Sequence, residues 1–227
     1  MKLINIFLLF ILFAGSIFAQ NSNDSIMNIA MLTKKKSFSV NIGIGYANYN
    51  IDEIKKSFNE LPQLDFPTRI TDNFPNVPMT IGEVRFNFQP LTLGAYYSVV
   101  STGGRIAYSD YSGSYKFDAV ISSSTSGILL NYIVYQNNFA DLILDLRSGF
   151  TLLNYQLTET FKIGTEVKSK TQNMDFDYIS YQIGVRLNLY YSIFEGGVLV
   201  GYNDESGNET NVSFKGGRYL LFFGLKF

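Results

Sequence analysis

The sequence predicts an all-β chain folded as an eight-stranded antiparallel transmembrane β-barrel, with short periplasmic turns and longer extracellular loops. Three observations carry that prediction. Apolar and polar residues alternate through much of residues 37–227. The alternating stretches are separated by links that are short and long in turn. The chain ends on GGRYLLFFGLKF, in which Tyr219, Leu221, Phe223, Leu225 and Phe227 share one parity. Successive side chains of a strand point to opposite faces, so that ending has one uniformly apolar face.

Composition limits the alternatives. Charged residues make up 16% of the chain, and the formal net charge is -1. An ordinary soluble domain carries about 25% charged residues. Nothing in this balance calls for nucleic acid as a partner. The chain has no Cys, His or Trp, which removes disulfides, thiolate chemistry and zinc–thiolate sites. The opening MKLINIFLLFILFAGSIFAQ has a positive start at Lys2, an apolar run and small residues at Ala14, Gly15, Ser16 and Ala19. It reads as a signal peptide over residues 1–19, cleaved after Ala19; an N-terminal membrane anchor is the alternative. Residues 20–36 are polar with a basic end and read as a periplasmic leader, leaving 37–227 as the barrel.

The strands follow in order. FSVNIGIGYANYN sets Phe38, Val40, Ile42, Ile44 and Tyr46 against Ser39, Asn41, Gly43, Gly45 and Ala47. Next comes a long first loop, 51–80, where Ile51, Ile54, Phe58 and Leu61 have helical spacing and Pro62, Pro67, Pro75 and Pro78 enforce irregularity. IGEVRFNF (81–88) also alternates, and reads either as an outward extension of the second strand or as a hairpin in the loop. LTLGAYYSV is the second strand. GRIAYSDYSGSYKF, the third, alternates least cleanly and is placed by position. ILLNYIVYQ, DLILDLRSGF, DYISYQIGVRLNLYY and EGGVLVGYN are the fourth to seventh, and the terminal stretch is the eighth. Short links are expected at 101–104, 136–140 and 192–194. Longer ones are expected at 51–80, 118–124, 160–175 and 203–214.

The apolar faces are expected to point outward. Packing Asp145, Arg147, Arg186 and Asn188 around a small dry core is costly, and turning the opposite Leu, Ile, Val and Phe faces to water creates one large sticky band. Lipid resolves both problems. Tyr181 and Tyr191 bracket one apolar face; at roughly 3.3 Å per residue and a tilt of about 40°, their separation spans about 25 Å of membrane normal. Tyr219 and Phe227 bracket the last strand, so these four residues form an expected aromatic girdle.

These features resemble the small outer-membrane β-barrel proteins of gram-negative bacteria, the group that includes the transmembrane domain of the outer-membrane protein A family. The resemblance rests on the signal peptide, the strand number, the loop alternation and the terminal strand. It implies location in the outer membrane, contact with lipid and lipopolysaccharide, and a monomeric barrel. It also implies that Tyr219, Leu221, Phe223, Leu225 and Phe227 are the assembly signal read by the barrel-assembly machinery.

The inward set includes Arg105, Asp145, Arg147, Arg186, Glu195 and Lys226. Asp145 is expected to face Arg186, and Glu195 to face Lys226. Two readings stand side by side: a selective or gated pore, and a salt-bridged plug. The narrow interior of eight strands favours the plug. No catalytic residue, metal ligand or cofactor is expected. Barrel enzymes usually need a histidine base, and Asp141 and Asp145 lie about 13 Å apart along one strand. The sequons at Asn208 and Asn211 read as chance, and Asp204, Glu205 and Glu209 as a solvated acidic loop. Lys55, Lys56 and Arg69 are weak candidates for lipopolysaccharide phosphates. The expected function is that of an integral outer-membrane protein with a structural or surface-interaction role. The alternatives are a narrow channel or lateral-passage transporter, and an accessory subunit of an envelope secretion or uptake complex.

Overall fold

The computed structural model describes residues 37–50, 69–73, 77–206 and 214–227. The signal peptide, the leader, the helical spacing in 51–61, Lys55, Lys56, Glu209 and both sequon asparagines lie outside the described residues.

The described strands are β1 (Ser37–Asn50), β2 (Arg69–Asn73), β3 (Val77–Phe88), β4 (Leu91–Ser109), β5 (Gly113–Gln136), β6 (Ala140–Ile163), β7 (Glu166–Tyr191), β8 (Phe194–Ser206) and β9 (Phe214–Lys226). Eight of them form a closed antiparallel ring in the order β1-β3-β4-β5-β6-β7-β8-β9, with β1 pairing both β3 and β9. Closure leaves no backbone edge in the ring, as hydrocarbon requires. The seam is sealed at the chain terminus: Phe38 N donates to Phe227 O at 3.0 Å and Phe227 N to Phe38 O at 2.7 Å. β2 lies outside the ring, against the outer part of β4.

The ring has the expected number of strands, but its membership differs. Residues 81–88 are not an appendage. They form most of β3, a full wall strand paired with β1 and β4. The expected links at 101–104 and 118–124 are interior to β4 and β5, where Ser101 to Gly104 pair with Ser122 to Ala119. The actual turns fall at Gln89–Pro90 and at residues 110–112. Asp110 builds the second of these, its Oδ1 accepting from the Ser112 and Gly113 amides at 2.8 and 3.1 Å. The expected long loop 160–175 is a hairpin of β6 and β7, closed where Gly164 adopts φ +56°. The links at 137–139 and 192–193 are tight, and Asn137 Oδ1 caps the first by accepting from Phe139 N and Ala140 N.

Within the ring, outward side chains are apolar, and inward ones are polar or belong to a buried apolar cluster that includes Ile81, Leu129, Leu199, Leu220 and Phe222. Ile42, Leu189 and Phe223 are well exposed on the outer face, whereas Arg186, Asn131 and Asn188 are 0% exposed. The strands are unequal in length. β8 leaves β7 at Ile179, opposite Ser206, while β7 begins at Glu166. The outer ends of β4, β5, β6 and β7 therefore continue past the ring as a projecting sheet. There the polarity of the two faces exchanges. On β6 the outward row runs Leu142, Leu144, Leu146, Phe150, Leu152 and then Asn154, Gln156, Thr158, Thr160. The inward row runs Asp141, Asp145, Arg147, Thr151 and then Leu153, Tyr155, Leu157. Those last residues join Ile106, Ala119, Ile121, Tyr178, Phe117 and Phe176 in a second apolar cluster above the lumen.

Candidate functional site in the barrel lumen

Three carboxylates and three guanidiniums meet inside the ring: Glu83, Asp145 and Glu195 with Arg85, Arg147 and Arg186, each buried. Glu83 on β3 is the hub. Its Oε2 lies 2.6 Å from Arg186 Nη1 and its Oε1 2.7 Å from Arg147 Nη2. β3 and β7 stand opposite one another in the ring order, so the Glu83–Arg186 pair crosses the barrel. Arg147 also clasps Asp145 on its own strand, through Nε at 2.5 Å and Nη2 at 2.8 Å. Arg85 pairs with Glu195, and Asn188 links the two halves, accepting from Arg186 Nε at 2.6 Å and donating to Glu195 Oε1 at 2.7 Å. The formal charges cancel, which is what lets six ions share so dry a space.

An aromatic ring completes the closure. Phe222 is fully buried, with the Arg186 guanidinium 3.9 Å and the Arg147 guanidinium 5.7 Å from its centroid. Gly43 makes room for it: a Cβ at that position would sit 2.7 Å from Phe222 Cε1 and 2.6 Å from Ile81 Cγ2. On the outer side of the ions, Tyr96 takes Arg147 5.4 Å from its ring centroid, and Thr125 and Thr151 share a hydrogen bond at 2.8 Å. On the periplasmic side, Tyr190 donates to Asp141 Oδ2 at 2.6 Å, and Lys226 Nζ lies 4.3 Å from the Tyr190 ring centroid.

Asp145, Arg147, Arg186 and Glu195 are thus brought together, with partners other than those expected. Asp145 does not face Arg186. The register sets Asp145 opposite Gly184 and Arg186 opposite Ile143, and the long guanidinium reaches across the lumen instead. Glu195 sits opposite Gly224 and turns to Arg85, leaving Lys226 to Tyr190. Arg105 is not in the cluster. Its parity on β4 is that of Leu93, Tyr97 and Val99, so it lies on the outward face, where it pairs with Asp118 at 2.5 Å. Tyr181, Tyr191, Tyr219 and Phe227 all sit exposed on the outward face. Leu221, Phe223 and Leu225 continue that face along β9. Among the described residues no group of acidic side chains is arranged to hold a metal ion.

The residues missed are Glu83, Arg85 and Phe222. The signal for the first two was present: Ile81, Glu83 and Arg85 alternate with Val84, Phe86 and Phe88. An outward extension or loop hairpin gives such charges no reason to pair across a barrel.

No protein-family model matches the sequence, and no curated protein matches it. Among solved structures, the chain is similar to neisserial surface protein A (NspA), at 10% identity over 84% of this chain and 97% of that one, with a TM-score of 0.47. It is similar to Ail, the attachment invasion locus protein of Yersinia pestis, at 14% identity over 85% and 99% of the two chains, TM-score 0.39. The N-terminal β-barrel domain of Pseudomonas aeruginosa OprF is similar at 13% identity over 83% and 97%, TM-score 0.38.

Proposed function

We propose that this chain is an integral outer-membrane barrel whose lumen is closed to solutes and whose working part is the sheet it holds clear of the membrane. The observation that carries the reading is the neutral, cross-barrel cluster of Glu83, Arg85, Asp145, Arg147, Arg186 and Glu195 stacked on Phe222. Ions held by several partners inside a narrow wall are structural supports, and moving one would strand its counter-charges. The exposed outward rows of Leu, Ile, Val, Phe and Tyr favour lipid as the medium around the ring. Each carboxylate of the cluster is held by a guanidinium, which leaves none placed as a catalytic base.

Planar-bilayer recording tests the reading against the channel alternative. The refolded wild-type protein is expected to give no discrete openings. Phe222→Ala combined with Glu83→Gln loosens both the ring and the hub, and is expected to give brief leaks. Stable openings in the wild type would sink the sealed-lumen reading.

A further inference from the structure

The projecting sheet has two margins, and they are treated differently. On the β4 side, β2 pairs from Arg69 opposite Ala107 to Asn73 opposite Gly104. On the β7 side, β8 pairs only from Ile179 onward, so among the described residues 166–177 pair with β6 alone. That edge is roughly 40 Å long. It contains no proline, and its pairing with β6 shows no register shift. Proline and bulges, two of the devices that blunt edge strands, are thus absent along it, and its lysines are the device it keeps. β8 ends at Ser206, and β9 begins at Phe214, opposite Glu205.

We propose that residues 166–174 accept an extended segment of another protein as an added strand, with carboxylate side chains opposite Lys168 and Lys170. The backbone supplies affinity in this mode, and side-chain complementarity supplies selectivity. Glu166, Lys168 and Lys170 are exposed on one face of the edge. Lys168 faces Phe161 across β6, not a carboxylate, whereas Lys170 faces Glu159. An incoming acidic strand gives Lys168 its counter-charge. A second copy of this chain does not. Two barrels in one membrane, related by an axis along its normal, would present their β7 edges in parallel. Lys168 would then oppose Lys168 and Lys170 would oppose Lys170, and like charges directly opposed are unfavourable.

The proposal rests on the sheet standing outside the bilayer, and the test separates the two. The full chain is refolded in phospholipid nanodiscs. It is titrated with a synthetic peptide of alternating Thr and Glu, and with the same peptide N-methylated at every second amide. The expected result is saturable binding of the first, slowed amide exchange within residues 166–174, and binding weakened about tenfold or more by N-methylation or by Lys168→Glu. The Lys168→Glu, Lys170→Glu variant is expected to prefer an alternating Thr–Lys peptide. Absence of saturable binding, equal affinity for the N-methylated peptide, or protection in the free protein of those amides along 166–174 that point away from β6 would each overturn the proposal. Because the chain has no Cys, a Ser169→Cys variant in sealed proteoliposomes reports location separately. Failure to react with an impermeant maleimide from either side overturns the placement outside the bilayer, and the proposal with it.

Discussion

β5, β6 and β7 each live in two solvents. In the ring their outward side chains meet hydrocarbon and their inward ones meet each other's charges. In the projecting sheet the same parity turns outward to water and inward to an apolar cluster. Leu146 and Gln156 lie on one face of β6, and Asp145 and Leu153 on the other, with no break in the pairing between them. The alternation of the backbone is constant, and the surroundings decide which parity carries the oil. The exchange falls between Leu152 and Asn154 on β6, between Ile179 and Asp177 on β7, and between Val99 and Ser101 on β4. With the projecting sheet outside the bilayer, as proposed above, these positions mark the outer boundary of the membrane.

Charge deletion should separate the two regions most strongly. Glu83→Ala leaves Arg147 and Arg186 without their shared carboxylate inside the ring, and a stranded buried charge costs about 3–5 kcal/mol. Asp118→Ala removes the partner of Arg105 and Lys116 on the projecting sheet, where solvent screens the loss to about 1 kcal/mol or less. Urea unfolding midpoints of the refolded proteins give the ratio. Equal midpoints for the two variants would mean that the lumen cluster is solvated and the contrast between regions false.

The outward face should respond next. Leu146→Arg sets a charge in the belt, at about 2–4 kcal/mol near the midplane. Gln156→Arg makes the same charge on the same strand face above the boundary and should be almost silent. Folding yields into lipid vesicles, read by the gel-mobility shift between boiled and unboiled samples, compare them. A yield for Gln156→Arg as poor as that for Leu146→Arg would move the boundary outward past Asn154.

The two-solvent arrangement also explains what the sequence made legible. Strands lying wholly in the belt, such as FSVNIGIGY and YLLFFGLKF, are readable because one face is all oil and the other is small and polar in the first and mixed in the second. Orientation followed from Arg186 and Asp145, which hydrocarbon would not tolerate. At the boundary the contrast disappears. Ser122, Ser123, Ser124, Thr125 and Ser126 carry hydroxyls on both faces, and Ser101 to Gly104 are similarly small, so strand interiors looked like loops. β3 was obscured differently, by the prolines before it, and with it went Glu83, the hub of the site. An expected turn at 101–104 makes the strand around Arg105 begin afresh, which sets that side chain inward. Continuous pairing from Leu91 fixes the opposite parity. The partners across the lumen could not be read at all, since they depend on which walls of the ring oppose one another.

The turns at the two ends of the barrel give a smaller contrast of opposite sign. Ser192, in the periplasmic link, adopts φ +57° without being glycine, and Gly164 adopts +56° at the outer tip. A left-handed conformation costs an L-residue about 1–2 kcal/mol. Ser192→Gly should therefore stabilise the barrel by up to about 1 kcal/mol. Gly164→Ala should loosen the β6–β7 tip by a similar amount and leave the ring's unfolding midpoint unchanged. Midpoints together with amide exchange at residues 160–170 separate the effects. A shift of the global midpoint by Gly164→Ala would show that the projecting sheet and the ring unfold as one unit.

The smallest effect sits at the tip of the β4–β5 hairpin. The Ser112 hydroxyl and then the Tyr108 hydroxyl donate to the Asp110 carboxylate, with the Ser112 and Gly113 amides adding to them, and they hold it at about 2, below its ordinary 3.8. The folded value is depressed, so the turn gains from the ionised form at pH above 3.8. That gain declines as pH falls from 3.8 and is gone below about 2. Exchange protection of the Ser112 and Gly113 amides should fall across that window, after correction for intrinsic exchange. In Asp110→Asn it should be flat, because an amide oxygen accepts the same bonds at any pH. If protection at Ser112 and at lumen strand amides were lost together between pH 4 and 2, the acid-sensitive element would be the barrel itself, and the independence of its two regions would fail.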